Sequence, residues 1–275
     1  MNLAVTGATG QLGGRVAERL AASGVPQRLL VRDARRAPRL LGAEVFEAEY
    51  GGSAATHVLN GISTVLMVSA SETPDRVDRH RSFVDCAVRA GVQHLVYTSF
   101  AGAGPTATFT LARDHWATEE HIRSSGLGYT FLRNNLYADF FAQLVGDAGV
   151  IQGPAGAGRV ATVARDDIAE VAAIVLQAPA DHRDATLNLT GPQALTLEEI
   201  AQVVSVSTGR PVRFVDETVT EAYASRAHYG APDWQVDAWV STYTAIAAGE
   251  LSEVSDDVRR VTGHAPRSLA DLLSR

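Results

Sequence analysis

The feature that most narrows the folds open to this chain is a run of three glycines near its start. Leu3-Ala4-Val5-Thr6 has the composition of a short strand. Gly7-Ala8-Thr9-Gly10-Gln11-Leu12-Gly13 follows it directly, and from Gln11 to about Ala22 apolar residues recur at helical spacing. A strand that turns on glycine into a helix leaves the first helical N–H groups without internal partners, and the helix dipole adds partial positive charge there. Gly7 allows the tight turn, Gly10 lets the backbone come close to a bound group, and Gly13 lets the helix pack on the strand. The group this arrangement suits is the pyrophosphate of a dinucleotide, met by Thr6, Gly7, Thr9, Gly10, Gln11, Leu12 and Gly13. A purely structural turn is the alternative reading.

Further strand-like runs follow at residues 28–32, 44–48, 64–68, 94–98 and 129–133, alternating with helical segments. Between the fourth and fifth runs of the series, Phe83, Val84, Ala87 and Val88 mark a long helix that Gly91 ends. Strands separated by crossover helices pair in parallel, so the fold class is α/β, a Rossmann-type doubly wound parallel sheet. Ligands of such sheets lie at the carboxyl ends of the strands. Candidate contacts are therefore Ser69, Ala70 and Ser71 after the fourth strand, Thr98, Ser99 and Phe100 after the fifth, and Asn134, Asn135, Leu136 and Tyr137 after the sixth. The serines equally suit turn capping. Tyr137 and Phe140 suit either core packing or stacking on a substrate ring.

The second half reads differently. A helix opens near Asp166, a strand covers residues 186–190, Thr196 and Glu199 form a capping-box pattern, and another strand covers 212–215. The expected organisation is a dinucleotide-binding domain over 1–150 and a smaller, mostly helical substrate lobe over 151–275. The two pack as one continuous unit, with some segments returning to the sheet.

Composition removes several chemistries. The net charge of −7 gives no general attraction to nucleic acid or anionic lipid. All 24 basic residues are arginines, so no lysine Schiff base, P-loop lysine or Tyr-x-x-x-Lys pair can exist. Tyr97 has Ala101 at that spacing, and Tyr129 has Arg133. The single cysteine, Cys86, reads as a small buried hydrophobe, and the eight histidines show no metal spacing, so no metal is expected. No apolar run approaches the ~20 residues of a membrane span, and no signal peptide is evident, so a cytoplasmic protein is expected. A homodimer is compatible with the sequence, which does not set the oligomeric state.

Cofactor choice turns on the end of the second strand, Leu30-Val31-Arg32-Asp33. An arginine there pairs with a 2′-phosphate, whereas an acid would hold a ribose 2′-hydroxyl. Arg32 favours NADPH over NADH. The other reading lets Asp33 hold a ribose or cap the next helix while Arg32 is simply solvated.

The glycine spacing is that of the short-chain dehydrogenase superfamily, and the chain resembles its NmrA-like atypical members. Within them it is most similar to the bacterial quinone oxidoreductase 2 group. The resemblance rests on Val5 to Gly13, Val31-Arg32, Val68-Ser69-Ala70-Ser71-Glu72, His80-Arg81, Ala90-Gly91-Val92, Val96-Tyr97-Thr98-Ser99, His115, and Tyr129 to Asn134. It implies NADPH binding, no flavin, and reduction of quinones, a small-molecule substrate. Other NmrA-like proteins act as cofactor-binding regulators with little catalysis. Related reductases carry a lysine at the start of the fifth helix, and this chain has His115 there. That histidine can donate a proton or hold a ribose or substrate oxygen. A helix-surface histidine without a role is the alternative. His115 and Tyr137 are the candidate catalytic side chains, and Phe100, Asn134, Asn135 and Tyr137 the candidate substrate contacts. A quinone needs little acid catalysis, which suits a chain lacking the usual Tyr-Lys pair. An epimerase or dehydratase would need that pair.

Overall fold

The computed structural model describes residues 2–52, 54–145 and 149–274. The amino-terminal half runs β1 (Leu3–Thr6), α1 (Gln11–Ala22), β2 (Gln27–Val31), a 3-10 turn at Ala34–Arg36, β3 (Ala43–Glu47), α2 (Ala54–Leu59) and β4 (Thr64–Met67). It continues with α3 (Arg76–Arg89), β5 (His94–Phe100), α4 (Thr110–Ser124), β6 (Gly128–Asn134) and α5 (Ala138–Leu144). Next come β7 (Val150–Gly153), β8 (Arg159–Val160), α6 (Arg165–Gln177), β9 (Ala185–Leu189), β10 (Leu195–Thr196), α7 (Leu197–Thr208) and β11 (Arg213–Asp216). Helices α8 (Val219–Arg226), α9 (Asp233–Ala247), α10 (Asp257–Thr262) and α11 (Leu269–Leu273) complete the order.

The main sheet has seven strands in the order β3-β2-β1-β4-β5-β6-β9. The pairings β1–β2, β1–β4, β2–β3 and β4–β5 are parallel. Strand order reverses between β1 and β4, which defines the switch point of a Rossmann-type sheet. β1, β4 and β5 are buried at every residue, as strands covered on both faces must be.

The chain forms two compact units. The first holds Met1–Ser99, Asp114–Arg133 and Arg165–Leu187; the second holds Phe100–Arg113, Asn134–Ala164 and Asn188–Arg275. This differs from a single boundary near 150. The chain changes unit where it leaves the carboxyl ends of β5 and β6, and α6 belongs with the sheet because it packs on α1. Arg15 Nε lies 2.9 Å from Asp166, and Arg19 lies 3.7 Å from Glu170, along that helix pair. One core of the first unit joins Ala4, Leu30, Met67 and Tyr97 of the strands to Phe83 and Val84 of α3 and Ile122 of α4.

The second unit contains two small sheets, β7 with β11 in parallel and β8 with β10 antiparallel. The β7 strand has no counterpart among the runs read from sequence, because Val150–Gly153 is only four residues long and lies between glycines. Its core includes Phe109, Phe141, Ile151, Val160, Ile200, Val204 and Ile246. The capping box expected at Thr196 and Glu199 is present, and Thr218 with Glu221 and Ser268 with Asp271 form two more.

Gly7 adopts φ +66°, the left-handed conformation its tight turn requires. A Cβ on Gly13 would stand 2.4 Å from the Gly7 carbonyl oxygen and 2.8 Å from that of Thr6. Substituting Gly13→Ala therefore forces α1 off β1. The expected cost is about 2–3 kcal/mol in urea unfolding, and a loss below ~0.5 kcal/mol would contradict this packing.

Candidate functional site

A cavity of about 260 Å³ opens in the first unit at the carboxyl ends of β1, β2, β3 and β4. Gly7, Thr9 and Gly10 form its floor beside α1. Arg32 borders it after β2, and Ser69, Ala70 and Ser71 border it after β4. Gly10 caps α1 in an extended conformation with no side-chain cap, and the first turn of the helix carries no acidic residue. The amides of Gln11, Leu12 and Gly13 have no acceptor within the helix, so this end is suited to receive an anion. Tyr50, Thr73 and Arg79 also line the cavity and escaped the sequence reading. Tyr50 lies three residues beyond a half-exposed edge strand, and its place after β3 is the only signal that could have found it.

Three hydroxyls expected to touch the cofactor are spent inside the protein. The Thr6 hydroxyl accepts from the Val68 amide at 2.9 Å and is hydrogen-bonded to the Tyr50 hydroxyl, which donates to the Val68 carbonyl at 2.7 Å. Thr98 Oγ1 accepts from the Ser69 amide at 2.7 Å. Ser99 donates to Glu119 at 2.6 Å, a fully buried carboxylate that Arg133 grips through two nitrogens at 2.9 and 2.7 Å. Thr6 and Thr98 thus brace the cavity wall, while Ser99 faces α4. All three are buried, so the expectation of direct contact is corrected to one of support.

The two residues that compete to set cofactor choice behave differently. Asp33 caps the Ala34–Arg36 turn and accepts from Arg35 at 3.0 Å (backbone) and at 2.9 and 3.0 Å (guanidinium). Those hydrogen bonds hold its carboxyl below the usual aspartate range. The Arg32 side chain is exposed and has no hydrogen bond or ion pair among the described residues. The carboxylate is occupied and the guanidinium is open.

His115 corrects another expectation. It lies in the second turn of α4, not at its start, and it is buried. Nδ1 lies 2.9 Å from the Tyr97 hydroxyl and Nε2 lies 3.2 Å from an Arg76 nitrogen. Burial, and then the Arg76 charge, push its pKa well below the usual histidine value. The ring is neutral at working pH and has no titrating proton to give. His121, by contrast, pairs with Asp85 at 2.8 Å on the exposed side of the helices.

The candidate substrate residues all fall in the second unit. Asn135 donates to the Leu251 carbonyl at 3.0 Å and accepts from the Leu136 amide at 2.8 Å, so it is an internal staple and not a pocket side chain. Phe100 belongs to the core, its ring 4.9 Å from that of Phe109. Asn134 is 2% exposed, and neither side-chain atom has a hydrogen-bond partner among the described residues. Tyr137 precedes α5, half-buried, and bridges to Val163. Phe140 is 46% exposed, which sets it apart from the core. Among the described residues no group of three or more acidic, histidine or cysteine side chains is placed to hold a metal ion. No helix among them is long and apolar enough to cross a membrane.

The profile of the NmrA-like family matches residues 1–230, and the chain belongs to that family. It is 33% identical to quinone oxidoreductase 2 of Escherichia coli, across 99% of this chain and 97% of that one. It is 31% identical to an NAD(P)H azoreductase of Xenophilus azovorans, across 97% and 95%. The crystal structure of the E. coli NADPH-dependent quinone oxidoreductase in complex with NADPH superposes with a TM-score of 0.90, at 32% identity and 99% and 98% coverage. That of the Citrobacter triphenylmethane reductase complexed with NADP(H) does so at 0.87, with 34% identity and 98% coverage of each chain.

Buried histidines also set the acid stability of the fold. Burial pushes His80 down to about 3 and His94 to about 4, with Arg76 and Arg183 adding to the respective shifts, and His115 shifts in the same direction. In the unfolded chain these rings protonate near pH 6.5, so below that pH the unfolded state binds more protons. Stability is full above about pH 6.5 and falls as the medium is acidified, by up to ~2 kcal/mol per histidine at pH 5. The thermal midpoint is expected to drop between pH 7 and pH 5, with a shallower drop in His94→Gln. A flat profile contradicts the neutral assignment.

Proposed function

We propose that the chain is an NADPH-dependent oxidoreductase that reduces quinones or related flat conjugated acceptors by direct hydride transfer, without flavin or metal. The observation that carries the cofactor reading is the open guanidinium of Arg32 beside the cavity, next to an Asp33 already taken up by Arg35. The bare amino end of α1 suits the diphosphate, and the left-handed Gly7 keeps that end clear. Relatives named as a quinone oxidoreductase, an NAD(P)H azoreductase and a triphenylmethane reductase support the choice of acceptor. No comparable finding favours a cofactor-sensing regulator.

Bound NADPH supplies the hydride. The residues of this chain bind and orient it. Gln11, Leu12 and Gly13 present amides to the diphosphate, Thr9 and Gly10 line its path, and Arg32 pairs with the 2′-phosphate in the fork geometry that favours arginine over lysine. Ser69, Ala70 and Ser71 form the wall along the ribose. Asn134 and Tyr137, at and just beyond the end of β6, are the side chains assigned to the substrate. A quinone that accepts hydride becomes a resonance-stabilised anion, which water can protonate. Such a reaction asks for positioning, and the chain has no lysine to lower the pKa of a tyrosine beside it. Burial raises the Tyr97 pKa above its ordinary value, which keeps that phenol protonated.

Purified protein is expected to consume NADPH with a panel of benzoquinones and naphthoquinones, followed by loss of reduced-nicotinamide absorbance. Tight NADPH binding with no turnover of any acceptor would favour the regulator. The substitution Arg32→Glu is expected to weaken NADPH roughly 30-fold or more while changing NADH affinity little. Equal losses for both cofactors remove Arg32 from the phosphate site.

A further inference from the structure

Ala70 lies in the cavity wall, and both of its backbone polar groups end on buried side chains of α3. Its N–H donates to His80 Nε2 at 2.8 Å, and its carbonyl accepts from Arg76 Nε at 3.0 Å. Neither bond ends there. Arg76 also reaches His115 Nε2 at 3.2 Å, and His115 Nδ1 lies 2.9 Å from the Tyr97 hydroxyl. The Tyr97 hydroxyl in turn lies 3.5 Å from His80 Nδ1, which also has Thr118 Oγ1 at 2.9 Å. The path Ala70–Arg76–His115–Tyr97–His80–Ala70 is closed, and Thr118 braces it at His80.

The direction of each hydrogen bond follows from donor and acceptor chemistry. A backbone N–H can only donate, so His80 Nε2 is bare and Nδ1 carries the proton that goes to Thr118. A guanidinium can only donate, so His115 Nε2 is bare and its Nδ1–H goes to Tyr97. Thr118 accepts from His80 and donates its own proton to the Asp114 carbonyl at 2.8 Å. His80, Tyr97 and Thr118 are at most 0% exposed, and Arg76 has the Asp114 carboxylate 3.7 Å from its remaining nitrogen.

We propose that this closed ring is the device that positions the cofactor wall, with His80 and Arg76 as positioning residues acting through Ala70. The proposal rests on the cofactor reading given above. A loop held on both polar groups of one residue keeps a fixed distance from the glycine turn across the cavity. Water in the same places would leave it softer. The ring also assigns Tyr97 and His115 to support, because each has its polar atoms committed to the ring.

The test compares His80→Leu, which removes the acceptor for Ala70, with His80→Gln, whose carbonyl oxygen can replace it. In His80→Leu the KM and Kd for NADPH are expected to rise about tenfold, with NADH weakened in the same ratio and kcat at saturating NADPH within roughly threefold of wild type. The glutamine variant should return to within about threefold of wild-type affinity. Mere loss of folded protein would lower kcat and leave KM alone. Wild-type affinity in His80→Leu, or equal losses in both variants, overturns the proposal. If His80→Leu does not fold, Thr118→Val replaces it: weakened NADPH binding supports the ring and unchanged binding overturns it. The wild type separates the two readings. If it binds no NADPH, the cofactor reading fails. If it binds and Arg32→Glu discriminates while the ring variants change nothing, the ring alone fails.

Discussion

The approach of α1 to β1 is the constraint from which the site follows. Gly13 packs where even a methyl group would strike the Gly7 carbonyl, and that closeness aims the free amides of the helix at the mouth of the cavity. A helix standing farther off would still be amphipathic and would still cover the sheet. It would not place its dipole against the carboxyl ends of β1 and β4, where strand order reverses. Two requirements, packing and anion binding, are met by the same absence of side chains.

Around that anion site, most buried polar groups serve to hold backbone. Thr6 and Tyr50 hold Val68, Thr98 holds Ser69, and His80 with Arg76 hold Ala70. Three successive residues after β4 are thereby pinned from three directions. An unpaired buried polar group costs ~1–3 kcal/mol, so partial loss of such a scheme is worse than its complete absence. This explains why histidines appear here in neutral form. A neutral imidazole offers one donor and one acceptor at a fixed angle, which a backbone amide on one side and a hydroxyl on the other require. Protonation would destroy the acceptor, and burial opposes it.

The strand–turn–helix, the parallel sheet, Arg32 and the Ser69–Ser71 wall were legible in the sequence because each depends on neighbours within a few residues. Local spacing sets a glycine turn, and burial on both faces sets the apolar runs of β1 and β4. What escaped was everything decided between distant segments. Nothing near Thr98 or Ser99 says that one hydroxyl meets a backbone amide 29 residues away and the other a buried glutamate. His115 has the sequence surroundings of a surface helix residue, and only the packing of α3 and α4 on β5 puts it next to Arg76 and Tyr97. That some segments return to the sheet was expected, but which ones was not legible, since α6 declares its place by packing on α1 and not by composition.

The lack of lysine gives the remaining parts a common logic. A lysine beside a tyrosine creates an acid that can be tuned, whereas guanidinium groups stay charged at any working pH and act through geometry. Here arginine appears in both settings. Arg76 is buried and fixes other groups, while Arg32 stands open at the cavity edge, where the proposed reading gives it a phosphate. Tyr97, in the middle of β5, is enclosed, and burial keeps its phenol protonated. On the proposed reading the work of these residues is orientation, and neither the enclosed Tyr97 nor the buried His115 is placed as a tuned acid. On that reading, acceptors that become stable anions on receiving hydride suit such a site, whereas simple aldehydes and ketones need a proton delivered with the hydride.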